Sequence, residues 1–213
     1  MFDYLLNALV TLFVTLDPIG LAPMFLVLTV GMSHFERRKI ATRASLIAGG
    51  ILLAFAILGE TLLALLGISL SAFRIAGGLL LFWIAFEMVF ERREQRKNVA
   101  AQKAAAETDM QHIAVFPLAI PLISGPGAIS ATILLASRAH AATELAILGL
   151  VIVALIAACF AVFILAARID RYLGDTGRIV VSRLLGVILA ALSVQFVADG
   201  ITAIIKAGGS VAG

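Results

Sequence analysis

The sequence predicts an all-α polytopic membrane protein with six transmembrane helices in two inverted three-helix repeats, whose spans 1 and 4 are broken near the midplane. Three observations lead to this prediction. First, 62% of the 213 residues are hydrophobic and only 14% are charged, against about 25% charged in soluble domains. Second, the basic residues concentrate in alternate loops. Third, a pair of prolines five positions apart occurs in two apolar runs, at Pro18 and Pro23 and at Pro121 and Pro126.

Six apolar stretches are long enough to cross a bilayer, since a transmembrane helix needs about 20 residues. They cover residues 4–30, 42–66, 70–90, 113–136, 144–167 and 179–205. These stretches are the predicted spans 1 to 6, in chain order.

The basic residues predict the orientation of the spans. Thirteen of the 16 Lys and Arg follow spans 1, 3 and 5, and only Arg74, Arg138 and Lys206 fall on the other side. Because cytoplasmic loops are enriched in Lys and Arg, both termini are predicted to be periplasmic. If spans 1 and 4 were both re-entrant, the third basic stretch would face outward, so span 4 is predicted to cross. Span 1 is less constrained, because no Lys or Arg precedes Arg37.

A second repeated motif supports an internal duplication. The prolines recur 103 positions apart, and Arg74-x-x-Gly77 recurs as Arg183-x-x-Gly186 after 109 positions. Each copy holds three helices, an odd number, so the second copy is inverted, as in many secondary transporters. The predicted units are a first repeat (1–90), a cytoplasmic connector (91–112) that is a surface helix or disordered, a second repeat (113–206) and a flexible tail (207–213).

The proline pairs predict two broken helices with chemically useful ends. Proline suits the first position of a helix after a capping residue, and both Asp17-Pro18 and Ser124-Gly125-Pro126 fit that pattern. A break within lipid is tolerated only where it lines a cavity or is buried in protein. Two helix amino termini that face a shared space favour an anionic group such as a carboxylate.

The breaks define the predicted substrate site. Its glycines allow a ligand to approach the backbone closely, and its amides together with one acid suit a small zwitterion. Asp17 is the one acid deep in a span. It either meets a substrate ammonium or coupling cation, carries a proton, or only caps the new half-helix, and these roles can coexist. The predicted residues are Asp17, Pro18, Gly20, Pro23, Pro121, Ser124, Gly125, Pro126 and Gly127, with Ser130, Thr132 and Gln195 as further polar lining. Gln195 equally fits a polar contact between helices.

Other function classes find little support in the residues. The chain lacks the Gly-x-x-x-x-Gly-Lys phosphate loop of an ATPase. Its three histidines lie in loops and it has a single cysteine, so no enzyme and no metal site is predicted. The net charge of +3 is explained by topology rather than by nucleic acid. The predicted partners are therefore a small-molecule substrate and membrane lipid, with no cofactor beyond a coupling proton or sodium ion.

Four segments together resemble the MarC family of bacterial inner-membrane proteins. They are Asp17-Pro-Ile-Gly-Leu-Ala-Pro23, Phe73-Arg-Ile-Ala-Gly-Gly78, Ile120-Pro-Leu-Ile-Ser-Gly-Pro-Gly-Ala-Ile129 and Arg183-Leu-Leu-Gly186. The resemblance implies an inner-membrane location. Because some relatives are described as neutral amino acid transporters, it also implies transport of small amino acids such as glycine or alanine. The alternative is a scaffold or stress-related protein of the antibiotic-resistance-locus family without transport activity.

Overall fold

The computed structural model describes residues 2–93, 95–97, 99, 102, 112–139 and 141–209. This part of the chain is almost entirely helical and contains no β-strand. Its elements are α1 (Phe2–Leu16), α2 (Pro18–Leu28), α3 (His34–Leu65), α4 (Leu70–Val89), α5 (Ala114–Ile123), α6 (Pro126–Ala136) and α7 (Ala142–Gly209). Helix α7 is interrupted at Gly174, where φ is 58°, so it consists of a first limb before that residue and a second limb after it.

Five helical segments are long and apolar enough to cross a membrane, and α5 with α6 forms a sixth, bent by 56°. The five are Phe2–Leu28, His34–Leu65, Leu70–Val89, Ala142–Ile169 and Thr176–Ala207. Every predicted span overlaps one of these segments, which confirms the all-α polytopic class. The division into repeats stays a prediction. Of the predicted tail, residues 207–209 continue α7 and residues 210–213 lie outside the described part.

The first break separates α1 from α2 at Asp17. The Asp17 amide donates to Phe13 O at 2.9 Å and so completes the last turn of α1. The residue then adopts a left-handed conformation with φ of 54°, and its carboxylate accepts a hydrogen bond from Gly20 N at 3.1 Å. Pro18 is the first residue of α2, where its missing amide costs nothing. The helix is thus broken where the sequence predicts, with Asp17 as the cap.

The second break separates α5 from α6. Helix α6 begins at Pro126, but the capping residue is Gly125 and no side chain caps the helix. The predicted cap by Ser124 is wrong, because the Ser124 hydroxyl donates instead to Ala119 O at 2.8 Å. A β-carbon at position 125 would lie only 2.6 Å from Pro121 O. Glycine is required here by the tight turn itself.

The two half-helices α2 and α6 run in opposite directions from the breaks. Arg37 Nε donates to Thr29 O at the end of α2, whereas Tyr4 Oη donates to Leu135 O at the end of α6. Each half-helix has 11 residues, which is about 16 Å of helix or half of a hydrocarbon core of about 30 Å. We call the end of the bundle that holds Thr29 the connector end, and the end that holds Leu135 the distal end.

Glycines bring α4 and the second limb of α7 into close antiparallel contact. A β-carbon at Gly78 would lie 2.8 Å from Ser193 O, and one at Gly200 would lie 2.9 Å from Ser71 O. Further along, Gly186 packs against Met88. Small residues of this kind let transmembrane helices approach at backbone distance. The antiparallel direction agrees with the predicted inversion of the second copy.

Replacement of Gly78 by alanine is expected to destabilise the bundle. The added methyl group would meet a backbone oxygen that cannot rotate away, and overpacking of this kind costs about 1–3 kcal/mol. Gly50→Ala is the matched control, because a β-carbon there meets nothing within 4 Å. Thermal unfolding in detergent should give a lower midpoint for Gly78→Ala and an unchanged or slightly higher one for Gly50→Ala. Equal midpoints for the two variants would contradict the close contact.

Candidate functional site

The connector contributes buried cations to the bundle. Residues 92, 93 and 95–97 are helical, and Arg93 and Lys97 are only 6% and 9% exposed. Arg92, Gln95 and Arg96 are exposed, so this part is a helix at the bundle surface with one buried face, and the bounds of the connector stay a prediction. Residues 94, 98, 100, 101 and 103–111 of the predicted connector lie outside the described residues.

Arg93 donates a hydrogen bond to the carboxyl-terminal end of α1, at the first break. Its Nη2 donates to Thr15 O at 2.6 Å, and its Nη1 contacts Met88 Sδ at 3.0 Å. A carbonyl in the last turn of a helix has no regular partner, so the guanidinium supplies one inside an apolar bundle. Burial lowers the pKa of Arg93, and the nearby carboxylates of Asp17 and Glu87 oppose that effect.

Asp17 has two partners, one for each carboxylate oxygen. Oδ1 accepts from Gly20 N, and Oδ2 lies 3.5 Å from Lys97 Nζ. The acid is therefore both a helix cap and one member of a buried ion pair. Gly20 provides room for this acid rather than for a ligand, since a β-carbon there would lie 2.3 Å from Asp17 Oδ2.

A second ion pair lies beside the first. Arg96 Nη2 lies 2.9 Å from Glu87 Oε2, and Glu87 is buried near the end of α4. We define the charged cluster as Asp17, Glu87, Arg93, Arg96 and Lys97. With three cations and two carboxylates, the cluster carries one excess positive charge.

The charged cluster opens onto a cavity of about 380 Å³, which we call the break cavity. Its lining includes Arg93, Arg96 and Lys97 of the connector and residues 125–128 at the start of α6. No side chain of the described residues caps α6, so the amides of its first turn remain available as donors. The helix dipole adds about half a positive charge at the same place. The basic side chains and the start of α6 therefore both favour an oxyanion.

The predicted site residues divide into those that line the break cavity and those that do not. Pro121, Gly125, Pro126 and Gly127 line it. Asp17 contacts the lining residue Lys97, and Pro18 and Gly20 follow it in α2.

The other predicted residues lie further away. Ser124 is buried at the turn, and Pro23 lies inside α2. Ser130 and Thr132 are buried in α6, where the Thr132 hydroxyl donates to Ala128 O. Gln195 is exposed near the distal end and donates to Asp199. The structure does not bring these residues into the cavity lining.

Arg93, Arg96 and Lys97 are the site residues that sequence reasoning missed, because their charges served only to orient the spans. One signal for them was present. A buried carboxylate such as Asp17 requires a paired cation, and positions 93, 96 and 97 share a helix face. Which basic residue meets Asp17 depends on the chain reversal after α4, which no local pattern specifies.

Comparison with known proteins places this arrangement in a family. The model of the MarC family integral membrane proteins matches residues 2–205. The chain belongs to the MarC family. It is similar to the UPF0056 membrane protein of Archaeoglobus fulgidus, with 39% identity over 197 residues, 90% of this chain and 89% of that one. It is also 36% identical to the UPF0056 membrane protein YhcE of Escherichia coli K12 over 193 residues, 91% of this chain and 89% of YhcE. No solved structure matches it significantly.

This MarC-family chain should depend on the pair between Asp17 and Lys97 for stability. Lys97→Met leaves a buried carboxylate without its cation, and breaking a buried pair costs roughly 3–5 kcal/mol. Asp17→Asn/Lys97→Met should lose less than the sum of the single variants, because no unpaired charge remains and asparagine still caps α2.

Unfolding free energies of the two single variants and the double variant would measure this coupling. Lys39→Met, at an exposed lysine, serves as the control for loss of a positive charge. Strict additivity in the cycle would show that Asp17 and Lys97 are not a coupled pair.

Proposed function

We propose that this MarC-family membrane protein is a secondary transporter of small metabolites that carry a carboxylate, including neutral amino acids such as glycine and alanine. The observation that carries the proposal is the meeting of two antiparallel half-helices at a charged cluster beside a cavity. Discontinuous helices whose amino termini point at an anionic substrate group are typical of secondary transporters.

The size and charge of the break cavity fit a small carboxylate. Its volume of about 380 Å³ is at the small end of ligand pockets, which span roughly 300–1,000 Å³. Arg96, Lys97 and the first turn of α6, which no described side chain caps, all line it. A carboxylate between them accepts charge-assisted hydrogen bonds, the stronger class of such bonds.

The ammonium end of an amino acid has a counterpart in Lys97. Both groups are ammonium ions, and Lys97 Nζ already lies 3.5 Å from Asp17 Oδ2. We propose that the substrate ammonium, or a coupling cation, replaces Lys97 on Asp17. Because Lys97 belongs to the connector, this exchange removes one of the contacts that hold the connector at the break, beside that of Arg93 with Thr15, and so links binding to opening at that end of the bundle.

The energy source follows from the same residues. Without a phosphate-binding loop, uptake is coupled to protons or sodium, with Asp17 as the group that carries the cation. From the charge bias we infer that the connector end lies in the cytoplasm and both termini lie in the periplasm of a bacterial inner membrane. A scaffold without transport activity needs neither the paired breaks nor the cavity.

Uptake by proteoliposomes tests the proposal directly. Labelled glycine, alanine, serine and acetate should be tried with and without proton and sodium gradients, and at least one should accumulate above the level in empty liposomes. Asp17→Asn should abolish or uncouple that uptake, whereas Asp3→Asn, at an exposed acid of α1, should not change it. No uptake of any of the four substrates would favour the scaffold. Equal rates in the two variants would remove Asp17 from the mechanism.

A further inference from the structure

A second cavity, of about 370 Å³, lies at the distal end of the bundle. Its charged lining consists of Arg74, Arg138, Asp199 and Lys206. The three cations come from the start of α4, the turn after α6 and the end of α7. They are also the three basic residues that the charge bias assigns to this side of the membrane. Residues that merely anchored separate helix ends would not need to share one cavity.

Each carboxylate oxygen of Asp199 already has a partner other than Arg74. Its Oδ2 accepts from Arg138 Nη2, and its Oδ1 accepts from Gln195 Nε2 at 2.7 Å. The guanidinium of Arg138 is further held over the ring of Phe196, 4.3 Å from the centroid. The one acid in the lining is thus committed to Arg138.

Arg74 consequently has no carboxylate among the described residues. Its Nη2 reaches Ser137 O at a long 3.4 Å, and its Nε is buried without a hydrogen-bond partner. Lys206 adds a further positive charge to the same lining. Among the described residues, the lining therefore holds three cations and one carboxylate, an excess of two positive charges.

In the other copy of the Arg-x-x-Gly motif, the arginine has a carboxylate partner. Arg183, 109 positions after Arg74, forms an ion pair with Glu91. In the predicted repeat Asp199, 108 positions after Glu91, corresponds to Glu91 and is the expected counter-ion of Arg74. Asp199 pairs with Arg138 instead. One copy of the motif has its counter-ion, and the other faces a cavity instead.

The two arginines at the cavity also affect each other. Burial lowers the pKa of the Arg138 guanidinium, Asp199 raises it, and the charge of Arg74 lowers it again. Two guanidinium groups near one another are favourable where an anion lies between them, because each supplies donors in a planar fork that matches an oxyanion.

We infer that the distal cavity is an oxyanion-binding site in which Arg74 and Arg138, assisted by Lys206, hold a carboxylate or phosphate group. The oxyanion comes either from a small solute or from the phosphodiester of a lipid headgroup. The site is separate from the break cavity, and it stands whether or not the chain transports carboxylates.

Protection of Arg138 from phenylglyoxal, which modifies guanidinium groups, tests the inference. The full chain in detergent is treated with the reagent at rising concentrations of phosphate or acetate, and peptide mass spectrometry follows Arg138. Phosphate or acetate should slow the modification several-fold. Arg74→Gln should raise the half-protecting concentration about tenfold, since a charge-assisted hydrogen bond is lost.

Two further variants guard against misfolding and general charge effects. Lys206→Gln, at an exposed residue, should raise the half-protecting concentration without affecting folding. Arg183→Gln is the matched control, because it removes the same motif residue at the other copy, and it should leave protection of Arg138 unchanged.

A lipid source gives a different result in the same assay. In that case phosphate and acetate do not protect Arg138 in detergent, but nanodiscs of phosphatidylglycerol protect it more than nanodiscs of phosphatidylcholine, and Arg74→Gln removes this protection. If neither solute nor phosphatidylglycerol protects Arg138, or if Arg183→Gln acts like Arg74→Gln, the inference is overturned.

Discussion

Backbone groups that a broken helix exposes inside an apolar bundle must find partners, and the site in this protein is built around that requirement. Water is absent from the bilayer core, so each unsatisfied group costs several kcal/mol. At the first break side chains of the protein supply two of these partners. Asp17 accepts from the amide of Gly20, and Arg93 donates to the carbonyl of Thr15. The charges brought in for this purpose then require partners of their own, which Lys97 provides for Asp17.

The second break is satisfied differently, and that difference gives the site its chemistry. Helix α6 begins at Gly125 and Pro126 without a side-chain cap, and its first turn lines the break cavity. Arg93, Arg96 and Lys97 line the same cavity. The amino terminus of α2 is capped by the carboxylate of Asp17, whereas the amino terminus of α6 is available to the carboxylate of a ligand. A ligand carboxylate at α6 would do there what Asp17 does at α2.

The sequence was sufficient to predict features that depend on local chemistry. Span lengths follow from bilayer thickness, and the breaks follow from proline, which is why α2 begins at Pro18 and α6 at Pro126. The dual role of Asp17 as cap and charged group was partly predictable for the same reason. Features set by distant contacts were not predictable. Lys97 meets Asp17 only because the chain reverses at Glu91, where φ is 61°. Gln195 fell outside the cavity because it lies near the distal end, in a limb of α7 that contributes no residue to the described lining.

The central claim is that the break cavity is accessible and electrically positive, and a single cysteine at Ile84, which lines it, tests this most directly. In a Cys159→Ala background, Ile84→Cys is treated with anionic and cationic methanethiosulfonates. The ratio of the anionic to the cationic reaction rate is compared with the same ratio for 2-mercaptoethanol, an uncharged reference thiol in solution. Ala141→Cys, at an exposed residue of the turn before α7, serves as the reference position. We predict that the anionic reagent is favoured several-fold more at Ile84→Cys than at either reference. An equal ratio, a preference for the cation, or no reaction at Ile84→Cys would contradict a positive cavity at the break.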